Sequence, residues 1–173
     1  MLMRRLLQIL SRRFWREERG AILVEMTLIT PLMLALSAGV FEFGNLIHKK
    51  LLIEAGLRDA ARYAARCNSQ MYTDYGLAID CAANARNIAL YGSIVVGEAR
   101  VTGSQEVTID IANPSDCHDA SVDGVTQYRS AVPQVCIVRA SSSFEYEGVG
   151  LLSYLGLSPI TLNGVHEERQ IRF

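Results

Sequence analysis

The side chain best placed to do specific chemistry is Glu25, a single carboxylate inside a long apolar run. From Ala21 to Phe41 the chain has 21 residues and no other charged side chain. A charge inside a membrane is costly and commonly marks a site that awaits a partner, so Glu25 predicts an ion pair. The alternative is a tolerated polar residue near the membrane interface.

Other groups of reactive side chains give weaker signals. One polar loop contains three acids and a histidine: Asp116, His118, Asp119 and Asp123. Their spacing misses the calcium-loop pattern, so an ordinary solvated loop is favoured. Glu145 and Glu147 are two residues apart on one predicted strand, and we expect both to face solvent. The sequence has no phosphate-binding glycine loop and no serine elbow. We therefore expect no enzymatic activity, no metal site and no cofactor.

Four cysteines follow the apolar run: Cys67, Cys81, Cys117 and Cys136. They lie in the part of the chain predicted to reach an oxidising compartment, which favours two disulfides. Four cysteines allow three connectivities, and the sequence leaves all three open. The sequential one would close loops of about 15 and 20 residues, each stabilising the fold by about 3 kcal/mol. No Cys-x-x-Cys motif is present, which makes a zinc site an unfavourable interpretation.

The apolar run itself has the dimensions of a membrane helix. At about 1.5 Å per residue it would reach about 32 Å, close to the thickness of a bilayer core. The first 20 residues carry six Arg and two Glu, whereas the remainder has a net charge of −5. Basic residues before an apolar helix stay in the cytoplasm. We predict a cytoplasmic basic leader (1–20), a transmembrane helix (21–43) and a periplasmic or extracellular domain (44–173).

A glycine after a basic leader, an acid five residues later and an unbroken apolar run resemble a type IV prepilin. More narrowly, Gly20-Ala-Ile-Leu-Val-Glu25-Met-Thr-Leu-Ile-Thr-Pro31 and the downstream Gly39-Val-Phe-Glu42-Phe-Gly44 resemble the TadE-like family. The segment Ala60-Ala61-Arg62-Tyr63-Ala64-Ala65-Arg66-Cys67 is similar to that family's helix end. The resemblance covers roughly residues 20–67 and does not separate TadE from TadF.

The resemblance implies a minor pilin or pseudopilin of a tight-adherence (Flp-type) pilus system, acting in pilus biogenesis and adhesion. A prepilin peptidase would cut between Gly20 and Ala21. The new amine at Ala21 and the Glu25 carboxylate of a neighbouring subunit would then pair and set the axial register between subunits. The implied partners are that peptidase, other pilin or pseudopilin subunits and the inner-membrane assembly platform.

The implied location is the bacterial inner membrane, crossed once, with entry into the pilus left open. The chain has no basic excess beyond its leader, so no nucleic-acid partner is expected. One alternative is a single-pass envelope protein that keeps its leader and carries an outward binding or sensor domain. Another is cleavage by signal peptidase near Ala38, although the apolar run is long for a secretory signal.

Helical periodicity continues beyond the membrane segment and predicts one helix from about Ala21 to about Arg66. Pro31 lies inside it and predicts a kink. Neighbouring helices and the hydroxyls of Thr27 or Thr30 are available to the carbonyl that proline frees. Arg58, Arg62 and Arg66 are four residues apart and form a basic stripe, either a solvated face or a contact for acidic partner surfaces.

The remaining chain predicts an α+β domain of the pilin-like kind, in which a second helix packs on a small antiparallel sheet of three to five strands. The second helix is predicted to span Asp74–Tyr91, with Gly92 as its stop. An Asn163-Gly164 pair predicts a hairpin turn between two strand ends. The predicted strands are Ile94–Val101, Val107–Ile111, Val135–Tyr146 and Val165–Phe173.

Overall fold

A single helix, α1 (Glu18–Arg66), carries the apolar run and continues into the C-terminal part of the chain. The structure is a computed structural model that describes residues 18–111, 113–128, 133–148, 150, 154, 156 and 159–171. The predicted long helix is confirmed, and most of the predicted leader (1–20) lies outside the described residues. The chain divides into two compact units between Phe43 and Gly44.

Within the C-terminal unit, one face of α1 forms the centre of the core. Ile53, Leu57, Ala60 and Ala64 recur every three or four residues and are at most 1% exposed. This spacing places them on one face of a helix, which the periodicity predicted. The basic stripe of Arg58, Arg62 and Arg66 lies on the exposed side.

Two helices occupy the region where we predicted one. Helix α2 spans Ser69–Asp74 and helix α3 spans Cys81–Tyr91. The predicted start at Asp74 is therefore wrong. The side chain of Asp80 accepts a hydrogen bond from the Ala83 N–H at 2.9 Å and begins α3 as its N-cap. The predicted end is confirmed, because Gly92 adopts a left-handed φ of 75° and its N–H bonds the Ile88 carbonyl.

The sheet has four antiparallel strands, within the predicted range. They are β1 (Gln105–Asp110), β2 (Cys117–Asp119), β5 (Gln134–Tyr146) and β6 (Ile160–Arg169). The long strand β5 pairs with the other three, and a separate small hairpin joins β3 (Ser121–Val122) to β4 (Val125–Thr126). Val138, Ala140, Phe144 and Tyr146 lie buried on one face of β5, as its alternation predicted. Helix α3 packs against β1, so the predicted α+β architecture is confirmed.

The predicted strand Ile94–Val101 is wrong. Residues 92–104 contain bends without strand pairing. Val95 and Val96 are each 68% exposed, whereas Val101 is 3% exposed and belongs to the core. A run of β-branched residues favours a strand only where a neighbour pairs with it and one face is covered.

The predicted hairpin turn at Asn163-Gly164 is also wrong, because both residues lie inside the continuous strand β6. Gly164 pairs with Ser142 of β5. A Cβ at position 164 would lie 2.7 Å from Cδ1 of Leu57 and 3.4 Å from Cγ2 of Ile53. This glycine therefore allows close approach of the strand to α1 instead of making a turn.

Two disulfides join the cysteines in sequential order. Cys67–Cys81 connects the end of α1 to the start of α3, and Cys117–Cys136 connects β2 to β5. The two predicted disulfides are confirmed, and the structure selects the connectivity that the sequence left open. Each closes a short loop, with separations of 14 and 19 residues.

An ionic contact between β6 and α1 predicts acid sensitivity. Glu168 Oε1 lies 3.4 Å from both Arg62 Nε and His166 Nε2. Burial, the largest influence, raises the pKa of Glu168, but hydrogen bonds and charge from His166 and Arg62 together outweigh it and hold the pKa below the ordinary value of a glutamate. A carboxyl whose folded pKa is lowered stabilises the fold above its unfolded pKa and loses that contribution as pH falls through the folded value.

We therefore expect Glu168→Gln to show a smaller loss of stability between about pH 6 and about pH 3 than the parent chain. Urea unfolding at a series of pH values would measure this difference. Arg62→Gln should likewise reduce the loss of stability at acidic pH, because it removes one of the groups that lower the pKa of Glu168. If both variants lost as much unfolding free energy at acidic pH as the parent chain does, the prediction would be contradicted.

Candidate functional site in the N-terminal helix

Gly20, Ala21 and Glu25 lie together near the start of the described part of α1. Ala21 and Glu25 are four residues apart, so they occupy the same face of the helix one turn from each other. Every side chain from Gly20 to Ser37 is exposed. Leu28, for example, is 73% exposed and Leu23 is 69% exposed. This surface is apolar and uncovered in a single copy of the chain.

Packing among the described residues does not require the glycine at position 20. A Cβ placed there would meet nothing within 4 Å. The residue is helical, and a glycine within a helix costs about 1 kcal/mol relative to alanine. The same holds at Gly39 and Gly44, so packing does not distinguish Gly20 from these other glycines of α1.

The carboxylate of Glu25 is exposed among apolar neighbours of the same helix. Ile22 precedes it by three residues and Leu28 follows it by three, so both lie beside it on the helix surface. The ion pairs found among the described residues do not include Glu25. The Glu25 carboxylate can accept hydrogen bonds or pair with a cation from another molecule. In an apolar setting such an ion pair would be strongly directional.

Pro31 lies within α1, as predicted, and the helix continues through it. Proline removes the backbone donor that would bond the Thr27 carbonyl. The expected rescue by threonine hydroxyls is wrong. Thr27 Oγ1 donates to the Leu23 carbonyl and Thr30 Oγ1 to the Met26 carbonyl, each at 2.6 Å. Both hydroxyls bond one turn back along the helix, a common geometry for threonine in helices, and leave the Thr27 carbonyl to other donors.

The stretch that holds these residues has the length and composition of a membrane span. Among the described residues, one helix segment, Gly20–Arg66, is long and apolar enough to cross a bilayer. Its most apolar window is not buried inside the protein. These properties fit a single-pass membrane anchor.

The acidic loop does not assemble into a cation site. Among the described residues, no three His, Cys, Asp or Glu side chains converge to hold a metal ion. Asp119 instead accepts a hydrogen bond from Gln134 Nε2 at 3.2 Å, which ties β2 to β5.

The sequence interpretation missed a cavity of about 650 Å³ at the end of α1. It is lined by Arg62, Tyr63, Arg66, Cys67, Asn68, Met71, Tyr72 and Ile79. Two members of the basic stripe therefore stand at the edge of an apolar groove. The sequence signal was the group of apolar residues inside the loop closed by Cys67 and Cys81, which had no place in the predicted core.

Comparison with known protein families gives a match within α1. Residues 20–62 match the model of the TadE-like protein family. No curated protein and no solved structure matches the chain. The matched segment contains Gly20, Ala21, Glu25 and Pro31 and ends within the part of α1 that belongs to the C-terminal unit. It is thus a TadE-like segment, which confirms the resemblance and indicates a protein associated with Tad pili.

Proposed function

We propose that this chain is a minor pilin or pseudopilin of a Tad pilus assembly or secretion system, acting in pilus biogenesis and adhesion and having no enzymatic activity. A prepilin peptidase removes residues 1–20 at the cytoplasmic face of the inner membrane. The C-terminal unit then lies on the periplasmic side, and the helix that begins at Ala21 associates with other pilin subunits and the assembly platform.

The observation that carries this proposal is the exposed apolar face of α1 around Glu25, within the segment that matches the TadE-like family. A membrane anchor alone needs an apolar surface but no carboxylate in it. A subunit that must take one axial position beside its neighbour needs both the apolar surface and the carboxylate. The apolar surface permits helix association, and the charge disfavours every register in which it has no partner.

The N-terminus of the native protein tests the proposal. Intact mass measurement of membrane-extracted protein from a host with its Tad system should give a chain that begins at Ala21. A chain that begins at Met1 would favour the single-pass envelope protein that keeps its leader. Cleavage near Ala38 would favour signal peptidase. Either outcome would contradict the pilin proposal.

A substitution at the cleavage position sharpens this test. We expect Gly20→Leu to block removal of the leader almost completely, because the residue before the cut must fit a peptidase pocket. A Cβ at position 20 meets none of the described residues within 4 Å, so the fold should be unchanged. Mass measurement would show the uncut form. Gly39→Leu is the matched control, since position 39 lies on the same helix and also has nothing within 4 Å of a Cβ. The control should be processed normally, and a mature-size Gly20→Leu product would refute the prediction.

A further inference from the structure

The cavity at the end of α1 is a formed groove with a charged edge. We call it the arginine groove and define it by Arg62, Tyr63, Arg66, Met71 and Tyr72. The Cys67–Cys81 disulfide closes the loop beside it, and the Tyr63 hydroxyl is bonded by Asn84 Nδ2 at 3.2 Å. The groove is therefore held open by covalent and hydrogen-bonded contacts, which reduces the entropy lost when it binds.

The groove is apolar inside and positively charged at its edge. Met71 is 54% exposed although it lies in helix α2. Arg66 is exposed, and among the described residues no acid pairs with it. The complementary ligand is a short apolar segment with one carboxylate beside it.

A segment of that composition lies elsewhere on the same chain. We call it the valine loop and define it by Ile94, Val95, Val96, Gly97 and Glu98. Its three apolar side chains are 52%, 68% and 68% exposed. Glu98 is exposed as well, and no cation among the described residues pairs with it.

The valine loop is anchored at both ends. Asn87 Nδ2 donates to the Ile94 carbonyl at 2.9 Å. At the other end, Arg100 N–H donates to the Leu90 carbonyl at 2.8 Å, and the Arg100 guanidinium pairs with Asp59 at 2.9 Å. Three exposed β-branched side chains on an anchored loop form a preorganised protrusion, which is unusual for a surface without a partner.

A chain cannot place its own valine loop in its own groove. The groove adjoins the start of α3 through the Cys67–Cys81 disulfide, and the valine loop follows the end of α3 at Gly92. The 11 residues of α3 separate the two surfaces by about 16 Å. A contact between them must join two copies, head to tail, and can repeat along a row of subunits.

We propose that the valine loop of one copy binds in the arginine groove of a second copy, with Glu98 beside Arg66 and the apolar side chains against Met71 and Tyr72. This goes beyond the proposed function and rests on its membrane anchoring. The contact is small and therefore weak in dilute solution. Copies held in one membrane by their α1 helices have a high effective concentration, which allows a weak contact to order them.

Photo-crosslinking in the full chain, in the membranes of a bacterial host, tests the proposal. A benzophenone amino acid replaces Val96, and irradiation is followed by mapping of the cross-linked peptides. We expect a covalent dimer whose second site lies within residues 62–72. The matched control places the same probe at Val125, which is 60% exposed in the same unit and should give little dimer.

Charge reversal gives the decisive measurement. Glu98→Arg and Arg66→Glu should each lower the yield of cross-linked dimer about fivefold, because each places like charges together. The double variant should restore the yield, since exchanging the two charges brings opposite signs together again across the contact. A Val96 yield equal to that of the Val125 control, cross-links that map outside the groove, or single variants without effect would overturn the proposal.

The two proposals fail separately. Cross-linking does not need cleavage of the leader. In a host with its Tad system, a dimer formed by uncut protein therefore supports the contact and contradicts processing after Gly20. Conversely, a chain that begins at Ala21 but gives no cross-link in the groove leaves the pilin proposal intact and overturns the head-to-tail contact.

Discussion

Replacing Glu25 with alanine should reduce assembled pili by about tenfold or more, with cleavage after Gly20 largely unchanged. The proposed pair joins the Ala21 amine of one subunit to the Glu25 carboxylate of its neighbour in a water-poor helix bundle. Removing one member of a buried pair leaves the other charge without compensation, at a cost of about 3–5 kcal/mol. Glu25→Ala does not alter the cleavage position itself, so processing should continue.

Two further variants make this prediction specific to the charge. Glu25→Gln retains the size and hydrogen-bonding capacity of the side chain but removes its charge, and we expect it to behave as Glu25→Ala does. Glu54→Ala is the control, because Glu54 is 43% exposed and pairs only at the surface of α1 with Lys50. Sheared pili and membrane-bound subunits would be quantified on the same gels. Normal pilus output from Glu25→Ala would contradict the pairing.

The second large effect is expected at Gly56, where α1 contacts α3. Helix propensity alone predicts that Gly56→Ala stabilises the protein by about 1 kcal/mol. The structure predicts the opposite sign. A Cβ at position 56 would lie 2.5 Å from the Ala89 carbonyl oxygen, and that atom belongs to the backbone of α3. The two helices would have to separate, and overpacking of this kind costs about 1–3 kcal/mol.

We therefore expect Gly56→Ala to lower the melting temperature of the detergent-solubilised protein by about 3–8 °C. Circular dichroism during heating would measure the change. Gly44→Ala is the matched control, since Gly44 lies on the same helix and a Cβ there would meet nothing within 4 Å. This control should leave the melting temperature unchanged or raise it slightly. A stabilised Gly56→Ala protein would show that α3 can move away without loss.

Much of the fold was predictable because its elements leave strong local signals. The three- and four-residue recurrence from Leu46 to Ala64 predicted α1, and alternation from Val135 to Tyr146 predicted β5. Gly92 marked the end of α3 through the left-handed conformation that glycine adopts at helix ends. In each case one residue type or one hydrophobic period was enough to predict the element, without knowledge of residues distant in sequence.

The wrong predictions concern segments whose conformation depends on tertiary contacts. Asn163-Gly164 has the local chemistry of a hairpin turn, but its glycine serves the close approach of β6 to Leu57. Val95 and Val96 have the composition of a strand, but the neighbouring strands β1 and β6 pair with β5 instead. The start of α3 had a visible signal in Asp80, which we did not separate from the preceding helical pattern.

The candidate functional residues also include some that the sequence identifies and others that only the folded structure brings together. Glu25 was identifiable because a lone charge in an apolar run is conspicuous without any structure. The arginine groove was not identifiable, because Arg62 and Arg66 belong to α1 whereas Met71 and Tyr72 belong to α2, and only the folded loop brings them together. The helical spacing of the arginines and the apolar residues that follow Cys67 were each visible in sequence, but the proximity of the two groups was not.

The sequential disulfides have a consequence for folding if the C-terminal unit crosses the membrane as proposed. Cys67 and Cys81 pair with each other, and both precede Cys117 and Cys136 along the chain. A polypeptide that reaches an oxidising compartment from its N-terminal side exposes the first two thiols before either of the others arrives. Each correct partner is therefore the first one available, so the native pattern does not require exchange between mispaired thiols.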